Sequence, residues 1–373
     1  NTGQTGGRPD ADIDAPEAWD ITTGKISTVV AVIDTGVDLN HPDLQGKFIA
    51  GHDFVNDDSN PQDDNGHGTY VAGILGALTN NAAGGAGVLW QNQIMPLKAL
   101  GSDGRGTTED VASAIIYAAD NGADVINLSL GGDAPSNTLL NAMAHAYSGG
   151  VVLVAAAGND NGPVLYPAKY TQFCIAVAAT GHNDQRAVFS NFGTEIDVAA
   201  PGVGVYSTWW DDSYTTASGT SAATPFVAGV AGLVISRDPA LQPGDVEAKI
   251  KSTAEDVNTG IHPGTDVYLG AGRINAHQAL IQPPVVPPQV FATITYGYDN
   301  NGNQIRQTVD RNGVSKVTAY GYDFENRLVK ITYPDQTASQ YRYDGGGRRL
   351  QSVENGTITK YLYDGLNVII ERD

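Results

Sequence analysis

Ser221 stands among small residues in Gly219-Thr220-Ser221-Ala222-Ala223-Thr224-Pro225, directly ahead of the apolar run Phe226 to Ile235. Small neighbours let a substrate backbone reach the hydroxyl. A helix beginning beside it favours negative charge developing there. A serine hydroxyl is a weak nucleophile; it needs a base, and the base needs an orienting acid. Both occur upstream in distinctive settings. Asp34 closes the apolar strand Val29 to Ile33 and precedes Thr35-Gly36, while His67 lies in Asn65-Gly66-His67-Gly68-Thr69, before the helix-like run Tyr70 to Leu78. Asn159 follows the apolar segment Val151 to Ala157 through Gly158. Singly, Asp34 and Asn159 read equally as turn residues, His67 as a helix-start histidine and Ser221 as an N-cap. Together they describe nucleophilic acyl transfer.

Positioning these groups requires a rigid frame. Apolar strands are expected at 28–33, 94–100, 123–128, 151–157 and 174–179. Helices are expected at 108–121, 137–148, 220–237 and, after Pro243, 243–254. This alternation predicts an α/β fold with a parallel sheet covered on both faces. Such sheets place their sites at the C-terminal ends of strands and at helix starts. Four prolines in Pro283-Pro284-Val285-Val286-Pro287-Pro288 predict an extended spacer. It divides the chain into 1–282, a linker at 283–289 and a third part at 290–373. There Tyr296-Gly297-Tyr298-Asp299 recurs as Tyr320-Gly321-Tyr322-Asp323, Tyr341-Arg342-Tyr343-Asp344 and Tyr361-Leu362-Tyr363-Asp364, at spacings of 24, 21 and 20 residues. Each copy leads through turn residues into a β-type run, the pattern of a stacked β architecture. Alternate tyrosines share one strand face, and packing is the expected role of that face rather than a sugar- or partner-binding stripe.

The chain of 373 residues carries a net charge of −20. All of it lies in residues 1–289, with 11 Lys and Arg against 31 Asp and Glu; residues 290–373 hold 10 of each. This acidity argues against a nucleic-acid partner and suits cation binding. No run approaches the ~18 apolar residues of a membrane span. The chain starts at Asn1, and the expectation is a mature, secreted protein freed of its signal and propeptide. The single cysteine, Cys174, lies in an apolar run and reads as a buried thiol.

The order Asp34, His67, Ser221 and their flanking motifs resemble the subtilisin-like serine proteases, most closely the thermitase type, over about residues 11–280. The resemblance implies a three-layer α/β/α domain acting as a secreted endopeptidase on protein and peptide substrates. Its own propeptide would be a maturation partner, and the enzyme a monomer. Ser221 would attack, His67 act as base, Asp34 orient it, and the Asn159 amide and Ser221 N–H hold the oxyanion. Ser129-Leu130-Gly131 and Ala156-Ala157-Gly158 would wall the P1 pocket above Leu165. Gly101, Ser102 and Gly104 would pair with the substrate backbone. With no charge on these walls, a broad, apolar P1 preference is expected. Tyr70, Phe226 and Ala222 depart from the family's usual His, His and Met without removing a catalytic group. The Tyr-Asp units resemble the YD repeats of RHS-type secreted proteins. An interaction protein whose protease domain serves only for processing is the alternative.

Asp53, Asn56, Asp58, Asn60 and Gln62 alternate through a polar loop in a pattern that suits calcium, or simply a solvated loop. By resemblance this is a thermitase-type calcium loop. A second site is implied at Asp43 and Asn81 with the carbonyls of Leu78, Ala83 and Gly85, and Gln4 as candidate N-terminal ligand. A weaker cation site is implied around Ala168, Tyr170, Phe173 and Asp197.

Overall fold

The structure, a computed structural model, describes residues 6–282, 292–311, 314–354, 357–364 and 367–372. The chain divides into two compact units, 1–285 and 286–373. Gln4 and the proline spacer 283–289 lie outside the described residues.

The first unit is built on a seven-stranded, all-parallel sheet. Its strands are β1 (Gly24–Asp34), β2 (His52–Asp53), β3 (Gln91–Lys98), β4 (Val125–Leu128), β5 (Val152–Ala156), β6 (Cys174–Thr180) and β7 (Val198–Pro201). The spatial order is β2-β3-β1-β4-β5-β6-β7. The order reverses at β1, which pairs with β3 on one side and β4 on the other. A crevice opens beyond the strand ends at such a reversal, and Asp34 is the last residue of β1.

Strand periodicity sorts the core into two layers. Val30 and Val32 pack with α2 (His67–Gly76) and α5 (Thr220–Arg237), and α1 (Ala15–Trp19), α6 (Pro243–Thr253) and α7 (Ala276–Ile281) join the same layer. Val29, Ala31 and Ile33 pack on the other face with α3 (Thr108–Asp120) and α4 (Asn137–Ser148). The expected parallel sheet, covered on both faces, is what forms. The hairpin β8 (Val205–Trp209) and β9 (Ser213–Ala217) was not expected, nor were the short β2 and β7 or helices α1 and α7.

Helix α5 is apolar all round and buried along nearly its whole length, as a helix within a core must be. Pro225 lies inside it and has no N–H to donate four residues back to the Ser221 carbonyl. The Ser129 hydroxyl takes that place, donating to Ser221 O at 2.9 Å. A proline in the helix thus leaves the carbonyl of the residue expected as nucleophile to a donor from the expected pocket wall.

The second unit is an eight-stranded antiparallel meander, β10 (Ala292–Tyr298), β11 (Gln304–Arg311), β12 (Val314–Tyr322), β13 (Leu328–Thr332), β14 (Ala338–Tyr343), β15 (Arg349–Glu354), β16 (Thr357–Asp364) and β17 (Asn367–Arg372), paired in chain order. The motif's aspartate builds the turn. Asp299 accepts from the N–H groups of Asn301 and Asn303, Asp323 from Glu325 and Arg327, and Asp344 from Gly346 and Arg348, all at 2.9–3.0 Å. These are Asx turns, and each starts a hairpin at these three copies of the motif. The second tyrosine ties neighbouring strands: Tyr322 donates to Gln304 O and Tyr343 to Leu328 O.

Candidate active site

Asp34 is fully buried, and its Oδ1 accepts from the Thr35 N–H at 2.7 Å. His67, the first residue of α2, presents Nδ1 to the same oxygen at 2.7 Å. A carboxylate only accepts, so Nδ1 carries the hydrogen and the lone pair of the neutral ring falls on Nε2. Burial pulls the imidazole pKa down. The Asp34 charge and hydrogen bond, with Asp63 behind them, outweigh it and leave the pKa above its ordinary 6.5.

Two residues that the sequence reading passed over hold this pair. Asp63, 3% exposed, accepts at one oxygen from Thr35 Oγ1, Asn65 N and Gly66 N, and at the other from the N–H and hydroxyl of Thr69. It therefore ties the end of β1 to the start of α2. Lys98, 1% exposed, donates to Thr35 O (2.8 Å), Leu100 O (3.0 Å) and the Asp64 carboxylate (2.6 Å). One ammonium joins the segments that carry Asp34, His67 and the cleft wall. The β8–β9 hairpin supports α2: Ser207 and Thr208 donate to the carbonyls of Tyr70 and Thr69, and the Tyr70 hydroxyl donates to Val205 O. Gly36 and Gly68 carry the closest backbone approach, since a Cβ at Gly68 would lie 2.0 Å from Gly36 O.

Ser221 enters from the opposite side, in the first turn of α5. Beside it, Asn159 Oδ1 accepts from the N–H of Thr220 (2.8 Å) and from its hydroxyl (3.0 Å). With the oxygen held there, the amide nitrogen is left to donate. A Cβ at Gly219 would lie 2.9 Å from Ser221 Oγ and 3.5 Å from Asn159 Nδ2, so both groups converge on a space that only glycine leaves open. Asn191, also unforeseen, fixes the loop bearing Asn159 through Asp160 N, Gly162 N, Ala157 O and Pro163 O.

A cleft of about 670 Å³ gathers these groups: His67, Ser221, Thr220 and Asn159 line it with Ser129, Leu130, Gly131, Ala156, Gly158, Leu165 and Gly104. No hydrogen bond joins His67 to Ser221 here, and catalytic contacts are often long before substrate closes the site. Leu165 sits between the pocket walls, 3.1 Å from a Cβ built at Gly131 and 2.8 Å from one at Gly158. Ala157, Gly101 and Ser102 are not on the cleft surface. Gly101 N–H and C=O close a tight turn with Arg105 and Gly104, and Ser102 O accepts from Asn65. The wall there consists of Leu100 and Gly104 to Thr108, with Val111.

The expected metal residues differ in how well they fit a cation. Asp43 is 1% exposed, and its Oδ2 is buried without a hydrogen-bond partner. The 78–85 loop wraps this oxygen so closely that a Cβ at Gly84 would lie 2.1 Å from it. Asn81 donates to the other oxygen at 2.5 Å. A buried carboxylate oxygen in a glycine cradle fits a bound cation. In the 52–62 loop, the Asp53 carboxylate accepts from Val55 N, Asn56 N and Asn56 Nδ2, and Gln62 bonds to Leu39 N and Asp38. Asp58 Oδ1 accepts from Asn60 N at 2.7 Å. At the third position Lys251 occupies Asp197, Nζ to Oδ1 2.5 Å, and Asp197 Oδ2 accepts from Ala176 N. Among the described residues no cluster of three or more His, Cys, Asp or Glu side chains is placed to hold a metal.

Comparison with known proteins agrees with the fold. Residues 25–273 match the subtilase family (peptidase S8), and residues 298–338 match the RHS repeat. Thermitase of Thermoactinomyces vulgaris is 47% identical over 269 residues, 72% of this chain and 93% of that protein. The thermophilic serine proteinase of Bacillus sp. (strain AK1) is 48% identical over 264 residues, 70% of this chain and 64% of that protein. Among solved structures, a protease of Pseudoalteromonas arctica superposes with a TM-score of 0.66 at 36% identity, covering 72% of this chain and 93% of that one. An acid–imidazole pair beside a cleft that also holds a serine, at the reversal of a parallel sheet, is the arrangement of a class of serine hydrolase. The chain belongs to the subtilase family and is a subtilisin-like serine protease, followed by an RHS-type repeat region.

Proposed function

We propose that the chain is a secreted endopeptidase that cleaves peptide bonds through Asp34, His67 and Ser221. The observation that carries the reading is the 2.7 Å Asp34–His67 pair, opening on the cleft that also holds Ser221 and Asn159. His67 Nε2 takes the Ser221 proton as Oγ attacks the carbonyl carbon, and later gives it to the leaving amine. Asp34 keeps the ring oriented and stabilises the imidazolium. The Ser221 N–H and Asn159 Nδ2 donate to the oxyanion. Apolar P1 side chains are preferred, because the pocket between Gly131, Ala156, Gly158 and Leu165 carries no charge. A single propeptide-assisted monomer suffices. The test is labelling by a fluorophosphonate probe together with a peptide-library profile. Labelling of the wild type that disappears in Ser221→Ala, with Leu, Met or Phe favoured at P1, supports the reading. A protein that is not labelled, or a profile led by Lys, Arg, Asp or Glu, refutes it.

Asn159→Ala is expected to lower kcat by about 10²–10³ with little change in KM, the general cost of an oxyanion donor in subtilisin-type sites. Nearly full kcat in steady-state assays would remove Asn159 from the site.

Calcium binding is proposed at Asp43, with Asn81 and carbonyls of Leu78, Ala83 and Gly85, and more weakly at the Asp53–Gln62 loop. In that role the Asn81 amide turns to present its oxygen. A ligand at 100 times its Kd adds about 2.7 kcal/mol to the native state, roughly 5–10 °C in Tm for a domain this size. EDTA is expected to lower the Tm by that amount, and Asp43→Ala to abolish most of the difference. Equal melting curves with EDTA and millimolar calcium, and no metal by elemental analysis, would exclude the site.

The peptidase domain is proposed to end at Gln282, with 283–289 as spacer and 290–373 as the YD-repeat region. A chain ending at Gln282, matured with its propeptide, is expected to keep the kcat/KM of the full chain on small peptides. An inactive or unfolded product would make residues 290–373 part of the catalytic fold.

A further inference from the structure

The cleft is lined by uncharged residues apart from His67, Arg105 and Asp160. Asp160 adjoins Asn159, beside the reacting carbonyl. Arg105 lines the cleft within the segment Gly104 to Thr108, as do Leu130, Gly132, Ala134 and Leu139. The Arg105 side chain is exposed, and among the described residues it forms no salt bridge. The nearest acid in sequence, Asp103, accepts through Oδ1 from the Arg105 backbone N–H at 3.1 Å and forms no salt bridge with its guanidinium. The Arg105 carbonyl accepts from Gly101 N at 2.8 Å, so the backbone that presents the guanidinium is held in a closed turn. The turn is fixed, and Arg105, which closes it, is exposed, without a salt bridge among the described residues, and lines the cleft that holds Ser221.

We infer that Arg105 is a specificity-determining residue that selects a carboxylate side chain in the substrate upstream of the scissile bond, within P2–P4. The inference rests on the proposed endopeptidase reading and adds a substrate class to it: apolar at P1 and acidic further upstream. The upstream assignment follows from the P1 pocket. Its wall residues Leu130 and Gly131, followed by Gly132 and, past the exposed Asp133, Ala134, line the same cleft as the Arg105 segment. A substrate strand anchored at P1 therefore lays its preceding residues along Arg105. A guanidinium can bind a carboxylate through two parallel N–H donors, which uncharged Gln does not match. The chain's net charge of −20 repels acidic peptides at long range. Arg105 supplies the opposite charge only at the groove, so the preference should be set by position and not by overall peptide charge.

The experiment uses the mature full chain and peptides with Leu at P1 that carry Glu or Gln at P2, P3 or P4 in turn. The readout is the ratio of kcat/KM for Glu over Gln. For an exposed ion pair the expected ratio at one upstream position is about two- to fivefold at low ionic strength, shrinking in 0.5 M salt. Arg105→Gln is expected to bring the ratio down by that factor, Arg105→Lys to keep part of it, and Arg105→Glu to invert it. Comparing variants cancels the field of the remaining charges, which they share. The inference is overturned if wild type and Arg105→Gln both cleave the peptides with the same Glu/Gln ratio at every position. If the wild type cleaves none of them and takes no fluorophosphonate label, the endopeptidase reading itself fails and this inference falls with it.

Discussion

Replacing Ser221 with alanine is expected to lower kcat by about 10⁶, the general cost of removing the serine of a subtilisin triad. In the proposed mechanism the loss is this large because Oγ forms the covalent bond, and His67 and Asp34 act through it. What survives is roughly 10³–10⁴ over the uncatalysed rate, from oxyanion donors and substrate positioning. Fold should not change. The Ser221 carbonyl keeps its bond from Ser129, and the hydroxyl is not among the groups that brace α5. Stability should therefore stay within about 0.5 kcal/mol. The check pairs kcat, corrected by active-site titration of the wild type, with melting curves. A variant that keeps more than about 1% of kcat while fully folded would move the nucleophile elsewhere. The same variant should accumulate as an intact chain, since a protease cuts exposed segments of its own kind first.

Much of this site is written locally. Strand β1 is legible because a strand buried on both faces reads as an unbroken apolar run, and Val29 to Ile33 is such a run. Asp34, His67 and Ser221 are legible because each sits where an element begins or ends, marked by glycine or small residues. Lys98 and Asp63 are not. Lys98 ends β3 as a single charge within a buried apolar stretch, and Asp63 is one acid among several in a polar loop. Lys98 bonds to Thr35 O and to the Asp64 carboxylate across 63 and 34 residues, and Asp63 bonds to Thr35 across 28. Only the parallel pairing of β1 with β3 brings them together. The β8–β9 hairpin is polar, half-exposed and short, so periodicity carries little of it. Four-residue β7 is likewise too short for a periodic signal. The weak cation position fails to fit for a related reason. Lys251 arrives on α6 from far along the chain and pairs with Asp197, which no local pattern announces. The repeats show the reverse case. Their aspartates act within four residues of themselves, and the recurring Tyr-Asp motif displays that turn chemistry openly.

Asp34→Asn is expected to lower kcat by about 10⁴ at neutral pH and to move the acid limb of the pH profile downward. Asparagine can offer its N–H to Nδ1, which places the ring hydrogen on Nε2 and leaves no lone pair facing Ser221. It also removes the negative charge that stabilises the imidazolium. In the wild type, burial lowers the His67 pKa but Asp34 overrides it, so the pKa stands above 6.5. His67 acts as base only when neutral, so wild-type kcat/KM should rise as pH climbs through that raised value. The charged pair contributes stability fully below about pH 6.5 and loses it as pH rises through the folded-state pKa. Activity thus appears over the range in which this part of the stability fades. In Asp34→Asn only burial remains as the main influence, which depresses the pKa. The acid limb should then fall below 6.5, and His67 should cost stability in acid instead of adding it. The measurement is kcat/KM against pH for both proteins, with melting temperatures at pH 5 and pH 8. Coincident acid limbs would mean that Asp34 does not set the charge state of His67, despite the 2.7 Å bond between them.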